Sequence, residues 1–359
     1  MKVKLLIICN DLPYPVRNGI TAAINSFILR IKDDFEIYFL IKKSYYFLKS
    51  SNLIEVLEMS IDFKSFDIYV TSPIHPSIKN AFKIPRKSTK VALLSDCYTF
   101  VLWTNIKLAI KFNYISFFTF KDLLKIPFYY LLELMVSLKY NYVFLQTPRD
   151  VSIFSKLFFT KKVIALPNIV YNSFQSNNIS LNKRKGIGWV ASFEGSYKKI
   201  ANYFFDESLV EVLLKDSCLK IYFLGKNSDN FVKEISLKYP LLKSQLIAEP
   251  FYDKIEDFYN KRRIIISPVF KNYGLINKTI ESLAYGCITI GDRGSFNGIE
   301  GFVSGKHGFI AEGFKEFSKL IIEKNNNIDE TISLNARHLI HNFNNNNLHS
   351  KLFKDVFRL

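Results

Sequence analysis

The 359-residue sequence has few residues of the kinds that build metal or disulfide sites. Its four cysteines lie far apart without CxxC spacing, so neither a zinc site nor a disulfide framework is predicted. Of the five histidines, only His338 and His341 have a spacing that metal ligands use, and we interpret both as solvated. Because no D-x-D motif occurs either, the sequence predicts no bound metal.

Long apolar runs are missing as well. No stretch of about 18 uncharged apolar residues occurs. The apolar run in MKVKLLIICND is about five residues long, which is too short for a signal-peptide core. We therefore expect a cytoplasmic protein that does not span a membrane. With 48% hydrophobic residues, a chain of this length can bury the cores of two domains.

Acidic residues are outnumbered by basic ones. The formal net charge is +17, and residues 1–168 contain 23 basic and 12 acidic residues, a net charge of +11. Such a field attracts nucleic acid, anionic lipid headgroups or phosphorylated substrates. Because the sequence has no zinc-finger spacing and no RNP-like aromatic signature, nucleic acid is not an expected partner.

Short apolar runs alternate with amphipathic stretches along the chain, as is typical of α/β proteins. Most of the runs are continuously apolar, which indicates parallel strands covered by helices on both faces. The predicted fold is two doubly wound, Rossmann-like domains. The strand candidates are KVKLLIIC, FEIYFLI, FDIYVTS, KVALLSD, YNYVFLQT, GIGWVAS, KIYFLGK, RRIIISPV and CITIGD.

The boundary between the domains is predicted at Pro167 and Asn168, because proline fixes its own φ and keeps the preceding residue extended. This gives domains 1–167 and 168–335, followed by a helical tail at 336–359 that NFNNNN interrupts. The polar stretch NSFQSNNISLNKRKG after the boundary is expected to be an exposed linker.

Residues 112–140, FNYISFFTFKDLLKIPFYYLLELMVSLKY, combine many aromatic residues with interleaved lysines. One interpretation is a pair of core helices joined at Pro127. The alternative is an amphipathic segment that lies in a membrane interface, which the positive charge of this domain also favours. The sequence leaves both interpretations open.

A glycine lies near the start of the first predicted helix, in CNDLPYPVRNGITAAINSFI. There the backbone amides can bind an anion, and Gly19 has no Cβ to keep a diphosphate away. This predicts a contact between Gly19 and a bound diphosphate. The simpler alternative is that Gly19 only completes a turn.

A second glycine-containing loop, in YGLINKTIESLAYG, is predicted to present unpaired helix amides to phosphate oxygens. Lys278 adds a mobile positive charge. Glu281, one turn inside the helix, can accept hydrogen bonds from ribose hydroxyls. The alternative is a Lys278–Glu281 ion pair on a solvated face. The other donor-binding candidates in this loop are Gly274, Leu275, Ile276 and Asn277.

The order of these features resembles the GT-B glycosyltransferases of family 4 (glycosyl transferases group 1). The most specific similarity runs from YGLINKTIESLAYGCITIGD to GIEGFVSGKHGFIAEGFKEFSKLI. The resemblance implies that Glu281 is the second glutamate of the family's E-x7-E motif, which holds the nucleotide ribose. It also implies a nucleotide-sugar donor on the second domain, with its base near Phe251 of EPFYD, and an acceptor on the first domain.

The sequence departs from the family pattern at several positions. Tyr273 stands in place of the first glutamate of the motif, and Phe193 in place of an arginine. Lys198 keeps the family's lysine position and is the candidate for neutralising the leaving diphosphate, with Lys199 as the alternative. Asp96, in LLSDCYTF, lacks the family's neighbouring histidine. It is placed to touch a sugar hydroxyl or the attacking hydroxyl, unless it only caps a helix.

The resemblance implies a retaining, metal-independent transfer of a sugar to a saccharide or lipid-linked saccharide acceptor. The expected role is bacterial surface polysaccharide synthesis, such as that of LPS, O-antigen or capsule. Peripheral attachment to the inner face of an anionic membrane fits the charge. Two alternatives stay open: a sugar-nucleotide epimerase of the same fold, and a non-catalytic partner subunit that binds a nucleotide or glycan.

Overall fold

The strands of this computed structural model form two separate sheets within the residues that it describes, one of eight strands and one of six. We call the chain up to residue 167 the first half and the remainder the second half. The predicted α/β architecture is confirmed, with one sheet in each half. The structure describes residues 2–14, 16, 18–42, 44–50, 53–57, 62–112, 115, 117–170, 179–249, 255–270, 273–348 and 356–357.

The first sheet is parallel except at one edge. Its strands are β1 (Val3–Cys9), β2 (Phe35–Ile41), β3 (Ser44–Ser50), β4 (Leu53–Leu57), β5 (Ile68–Thr71), β6 (Thr89–Ser95), β7 (Tyr142–Leu145) and β8 (Val163–Ala165). They lie in the order β4-β3-β2-β1-β5-β6-β7-β8. The β3 and β4 strands run antiparallel to their neighbours. This hairpin was not predicted: β3 contains the apolar run YYFL, but β4 is interrupted by Glu55, and both strands are partly exposed.

Helices cover the first sheet on both faces and bury its apolar strands. They are α1 (Gly19–Ile31), α2 (Ile74–Asn80), α3 (Tyr98–Lys111), α4 (Phe117–Lys139) and α5 (Pro148–Phe158). The α1 helix packs on one side, where Phe27 and Ile28 are fully buried against the strands. On the other side, Val136 of α4 and Phe154 of α5 belong to a second apolar cluster.

The second sheet is parallel throughout, in the order β11-β10-β9-β12-β13-β14. Its strands are β9 (Ile187–Val190), β10 (Ile221–Leu224), β11 (Leu246–Glu249), β12 (Ile264–Ser267), β13 (Ile288–Gly291) and β14 (Phe309–Ile310). The surrounding helices are α6 (Gly195–Phe204), α7 (Val210–Lys215), α8 (Ser228–Lys238), α9 (Ile255–Lys261), α10 (Asn277–Ala284), α11 (Phe314–Asn326) and α12 (Glu330–Leu348). Each of the nine predicted strand candidates overlaps one of the observed strands, and only KVALLSD misses a strand residue, Thr89 of β6.

Within the aromatic segment 112–140, residues 117–139 form one long helix, α4, and not a helix pair joined at Pro127. Proline has no amide hydrogen, so the helix lacks the bond that residue 127 would donate to the carbonyl of Leu123. The helix nevertheless continues because its later part is held in the core, where Glu133 and Val136 are fully buried. Tertiary packing thus overrides the local preference of proline to end a helix.

The stretch after the domain boundary was expected to be an exposed linker, and its later part is not. Leu181 and Arg184 are buried. The Arg184 guanidinium donates hydrogen bonds to the carbonyls of Ile179 and Tyr285 at 2.9 Å each, which ties this stretch to the second half. Residues 171–178 of the predicted linker lie outside the described part of the chain.

The predicted tail begins inside α12, which starts at Glu330 and continues through NFNNNN to Leu348. The end of the chain then returns to the first half. There the Phe357 ring lies 5.8 Å from Phe35 and 6.0 Å from Phe27, centroid to centroid. The two halves are therefore joined by the chain twice, near residues 166–170 and again after residue 348.

The first of these connections is held from both sides. Arg30 of α1 donates to the carbonyl of Pro167 at 2.8 Å, and the Ile169 amide donates to the Ser26 hydroxyl at 2.9 Å. From α12, the Asn344 side chain donates to the carbonyl of Val170 at 2.8 Å. Among the described residues, no helix is both long enough and apolar enough to cross a membrane.

Candidate active site

The second-half candidates lie at one edge of the sheet, where parallel strands end and loops begin. The β9 strand leads to α6, and its neighbour β12 leads through the loop at residues 273–276 to α10. The carboxyl ends of parallel strands are where α/β proteins bind ligands. This arrangement brings the loop of Gly274 and the helix of Glu281 to the same edge.

Within this loop, Gly274 is in direct contact with two carboxylates of the first half. It has φ +68°, which favours glycine, and its amide donates to Oδ2 of Asp150 in the first half at 3.0 Å. A Cβ on Gly274 would lie 2.6 Å from Oδ1 of Asp96. The structure thus brings Asp96, which follows β6, next to the predicted donor loop.

Asp150 is a site residue that the sequence analysis missed. Its carboxylate is fully buried and accepts from the Thr147 hydroxyl at 2.6 Å as well as from Gly274. Burial raises the pKa of Asp150, and these hydrogen bonds oppose that rise. The available signal was Thr147 three residues before Asp150 at a helix start, a capping pattern that explains α5 but not the contact with Gly274.

Neighbours of Gly274 bind the first half and the chain connection that follows it. Tyr273, in place of the family's first glutamate, is buried and donates from its hydroxyl to Oδ1 of Asn105 on α3 at 3.1 Å. The Asn168 side chain donates to Oδ1 of Asn277 at 3.0 Å. The domain connection and the start of α10 are therefore directly bonded.

Glu281 accepts a hydrogen bond from the hydroxyl of Tyr259 at 2.8 Å. Tyr259 is fully buried, and its ring stacks on Tyr285 at 5.2 Å. Burial raises the pKa of Glu281, while the hydrogen bond from Tyr259 and the charge of Lys278 act in the opposite direction. The carboxylate is thus half-buried and held in place from inside the domain, which differs from an ion pair on a fully solvated face.

The other residues of the loop differ in their surroundings. Leu275 is buried in an apolar cluster with Ile280 and Phe296, so it supports the loop from the core side. Ile276 precedes α10 and makes no capping hydrogen bond with its side chain, within the described residues. The first amides of α10 therefore have no cap from that position.

Lys198, on α6, lies in a groove of about 400 Å³ between α6 and α8. Its ammonium pairs with Glu234 of α8 at 2.6 Å. Phe193, in place of the family's arginine, is buried and stacks on Phe231 with ring centroids 4.7 Å apart. At this position the chain therefore has an aromatic ring packed in the core, where the resemblance would place the positive charge of an arginine.

Gly19 begins α1, but the amides behind it are already bonded. The Asn18 side chain accepts from the amides of Ile20 and Thr21 at 3.0 Å each, and the Thr21 hydroxyl bonds back to Asn18. A Cβ on Gly19 would meet nothing within 4 Å. This geometry is that of a capped turn. Phe251, the predicted contact of the base, lies outside the described residues.

The described residues contain no group of three or more His, Cys, Asp or Glu side chains that could hold a metal ion. His338 and His341 are both exposed on α12. No protein-family model matches the sequence, and no curated protein matches it. Similarity is found in solved structures instead.

The chain is similar over 99% of its length to HepE of Anabaena, solved with UDP and glucose, at 12% identity and a TM-score of 0.66, covering 100% of that chain. It matches sucrose-phosphate synthase of Thermosynechococcus elongatus with the same coverages, at 10% identity and a TM-score of 0.69. The fold is GT-B. The GT-B arrangement explains why both sheets point their carboxyl ends at one seam.

A third similar GT-B structure is that of a point mutant of S. aureus TarM, in complex with Fondaparinux, alpha-GlcNAc-glycerol and UDP. The identity is 13%, the TM-score is 0.55, and the match covers 81% of this chain. The chain spans about half, 54%, of the length of that TarM chain.

Proposed function

We propose that this chain is a glycosyltransferase of family 4 that transfers a sugar from a nucleotide-sugar donor to a saccharide acceptor. The observation that carries the proposal is Glu281, held by buried Tyr259 one turn inside a helix that begins beside Gly274. A fixed carboxylate one turn after the first amides of a helix suits a ribose joined to a diphosphate. Support for a nucleotide-sugar donor also comes from HepE, which was solved with UDP and glucose.

In this proposal the donor binds to the second half through the loop around Gly274, the first amides of α10, Lys278 and Glu281, with its base near Phe251. Asn277 fixes the start of the helix through Asn168, and Leu275 supports the loop from the core. Lys198 releases Glu234 and neutralises the departing diphosphate. No metal is required, because lysine and helix amides supply the positive charge.

The acceptor binds to the first half, near Asp96. Its hydroxyl oxygen bonds to the anomeric carbon as the bond from that carbon to the phosphate oxygen breaks, and the hydroxyl proton leaves towards the diphosphate side. Asp96 orients that hydroxyl from its position beside Gly274. We propose retention of configuration, a free or lipid-linked saccharide acceptor, and a cytoplasmic role in bacterial surface polysaccharide synthesis.

The test is nucleotide binding by Glu281→Ala, measured by calorimetry with a panel of nucleoside diphosphates. We expect a loss of about 1.5 to 3 kcal/mol in binding free energy, the range for hydrogen bonds to a charged group. The variant should still fold, although the Tyr259 hydroxyl loses its acceptor, at a cost of about 1 to 3 kcal/mol in stability. Glu211→Ala, which removes an exposed helix glutamate paired with Lys215, is the matched control and should bind normally.

Unchanged affinity in Glu281→Ala would remove the ribose assignment. Turnover of a nucleotide sugar should also require a saccharide acceptor. Conversion of the nucleotide sugar without any acceptor would instead indicate the epimerase, and binding with no turnover would indicate a non-catalytic subunit.

A further inference from the structure

Helix α4 has apolar residues on the side that packs against the first half, and also on the side that faces solvent. Its packing side repeats every three or four residues and is buried or half-buried, at Thr119, Asp122, Ile126, Tyr129, Glu133 and Val136. Exposed apolar side chains repeat with the same spacing on the opposite side. They are Phe117, Phe120, Leu124, Phe128, Leu131 and Leu138, each between 54% and 70% exposed. We call these six residues the outer row.

A surface helix of a soluble domain normally places charged and polar residues opposite its packing side. Single exposed apolar residues need no explanation, whereas a continuous row of large ones marks a binding surface. The outer row spans 22 residues of one helix, which corresponds to about 32 Å of helix length. The second half shows no comparable row among its described helices, where Leu214, Leu241 and Leu334 lie exposed on separate elements.

Positive charge accompanies the outer row. Lys121 and Lys125 directly follow Phe120 and Leu124 in the chain, and the Lys121 ammonium lies 4.6 Å from the centroid of the Phe117 ring. Helices α3 and α4 carry five lysines but only two acidic residues, namely Glu133, which is buried, and Asp122, which pairs with Lys125 at 3.0 Å. Lysine is depleted at the centres of protein interfaces. Aromatic and aliphatic side chains flanked by lysine suit the headgroup layer of an anionic bilayer instead.

We propose that α4 is the membrane-docking surface of this protein, lying parallel to an anionic bilayer with the outer row in the headgroup layer. Phe120, Leu124 and Phe128 enter the boundary with the acyl chains, and Lys121 and Lys125 contact lipid phosphates. The helix lies on the membrane and does not cross it, because its other side is occupied by the core of the first half. This docking and the proposed sugar transfer are separable, since no residue of the outer row belongs to the candidate active site.

The first experiment is flotation of the full-length chain with vesicles of phosphatidylcholine alone or with phosphatidylglycerol added. We expect binding to the anionic vesicles, with recovery falling as salt rises. The triple variant Phe120→Gln, Leu124→Gln, Phe128→Gln should partition at least about tenfold less. The matched control replaces three exposed leucines of the second half and should bind like the parent chain. It is the triple variant Leu214→Gln, Leu241→Gln, Leu334→Gln.

The charge contribution is tested by Lys121→Glu combined with Lys125→Glu, which should also lower partition at least about tenfold at low salt. Lys243→Glu with Lys306→Glu changes two exposed lysines of the second half by the same charge and should change partition much less. Equal loss in both pairs would show that net charge alone, and not α4, drives binding, and would overturn the proposal.

A second experiment measures insertion. The chain has two tryptophans, Trp103, which is exposed, and Trp189, which is buried. In a Trp103→Phe background, Phe128→Trp should be quenched by brominated lipid, whereas Leu241→Trp should not be. Quenching that is equal at both positions, or binding that is equal for neutral and anionic vesicles, would contradict docking through α4. A dimer that forms without lipid and is lost in the outer-row triple variant would show that a second copy covers the row instead.

Discussion

The helices that follow the central strands begin differently in the two halves. In the first half, side chains of the protein fill the starts of α1, α3 and α5, whereas the described residues give α2, which follows β5, no side-chain cap. Asn18 bonds the first amides of α1, and Thr147 bonds the Asp150 amide of α5. Buried Glu133 accepts from the amides of Tyr98 and Thr99 at the start of α3, at 2.6 and 3.1 Å.

In the second half, the residues before α6, α8 and α10 make no capping hydrogen bond with their side chains, within the described residues. These three helices follow the neighbouring parallel strands β9, β10 and β12 respectively, so their starts share one edge of the sheet. A helix start carries partial positive charge that favours a bound anion. The comparison favours anion binding in the second half, because side chains of the first half already bond the starts of α1, α3 and α5.

The largest expected effect is on turnover, and it comes from Lys198 in the first turn of α6. It would test whether the helix starts of the second half bind the diphosphate. Lys198→Ala should lower turnover by about 100- to 1000-fold, the range for losing one donor that stabilises developing charge. Its ion-pair partner provides the control, because Glu234→Ala removes the same pair and leaves the ammonium in place. Comparable losses of turnover in both variants would show that the pair is structural.

The second prediction concerns the filled end of α3. Burial raises the pKa of Glu133 from 4.5 to about 7, against the opposing hydrogen bonds of Thr99, Tyr98 and Cys97. Between these pH values the folded state binds more protons than the unfolded state, so this group lowers the free energy of unfolding as pH rises. The stability of the parent chain relative to Glu133→Gln should therefore fall by up to about 3 kcal/mol between pH 4.5 and pH 8.

Urea unfolding of the two proteins across this pH range measures the difference. A difference that stays constant, or grows with pH, would mean that the amides at the helix start keep Glu133 ionised. In that case the first half would hold a permanent anion at α3, which would make the contrast with the second half stronger than the pKa indicates.

A smaller effect is expected where the two halves meet. Gly274→Ala and Gly305→Ala both place a side chain at positive φ, +68° and +85°, at a cost of about 1 kcal/mol each. Only the first also pushes a Cβ against Asp96, which should add about 1 to 3 kcal/mol to the loss of stability. Thermal unfolding measures both, and Asp96→Ala should recover the added loss in Gly274→Ala. Equal destabilisation by the two alanines would argue against the close approach of Asp96.

The smallest expected effect is that of metal removal. If lysines and open helix ends balance the diphosphate charge, chelation by EDTA should leave turnover of the nucleotide sugar unchanged. Loss of turnover that Mn²⁺ or Mg²⁺ restores would contradict this, and would transfer the charge-balancing role from the second-half helices to a bound cation.

Much of the architecture could be predicted from the sequence, because buried parallel strands are continuous apolar runs that stand out locally. The β3–β4 hairpin was not predicted, since only β3 carries such a run, YYFL, and Glu55 interrupts β4. The continuity of α4 through Pro127 was also beyond local rules, because distant packing at Glu133 and Val136 decides it. Elements whose structure is decided by contacts between residues close in sequence were predicted correctly. Elements decided by contacts between distant residues were not.

The candidate site shows the same limit. The pattern at Glu281 indicated a special carboxylate, but nothing in the sequence links it to Tyr259, which is 22 residues away. The contact between Asp150 and Gly274 joins residues 124 apart in different halves. The first pair depends on how two helices of the second half pack, and the second pair depends on how the two halves meet. A single sequence measures neither arrangement.

The two chain connections between the halves also have a mechanical consequence. The first connection ends at Val170, whose carbonyl is bonded to Asn344 near the end of α12, and the second begins after Leu348. Two chain connections that start near each other restrict the relative motion of the halves more than one connection would, because any rearrangement has to satisfy both. We therefore expect that any opening between Gly274 and Asp150 is a hinge motion and not a sliding one.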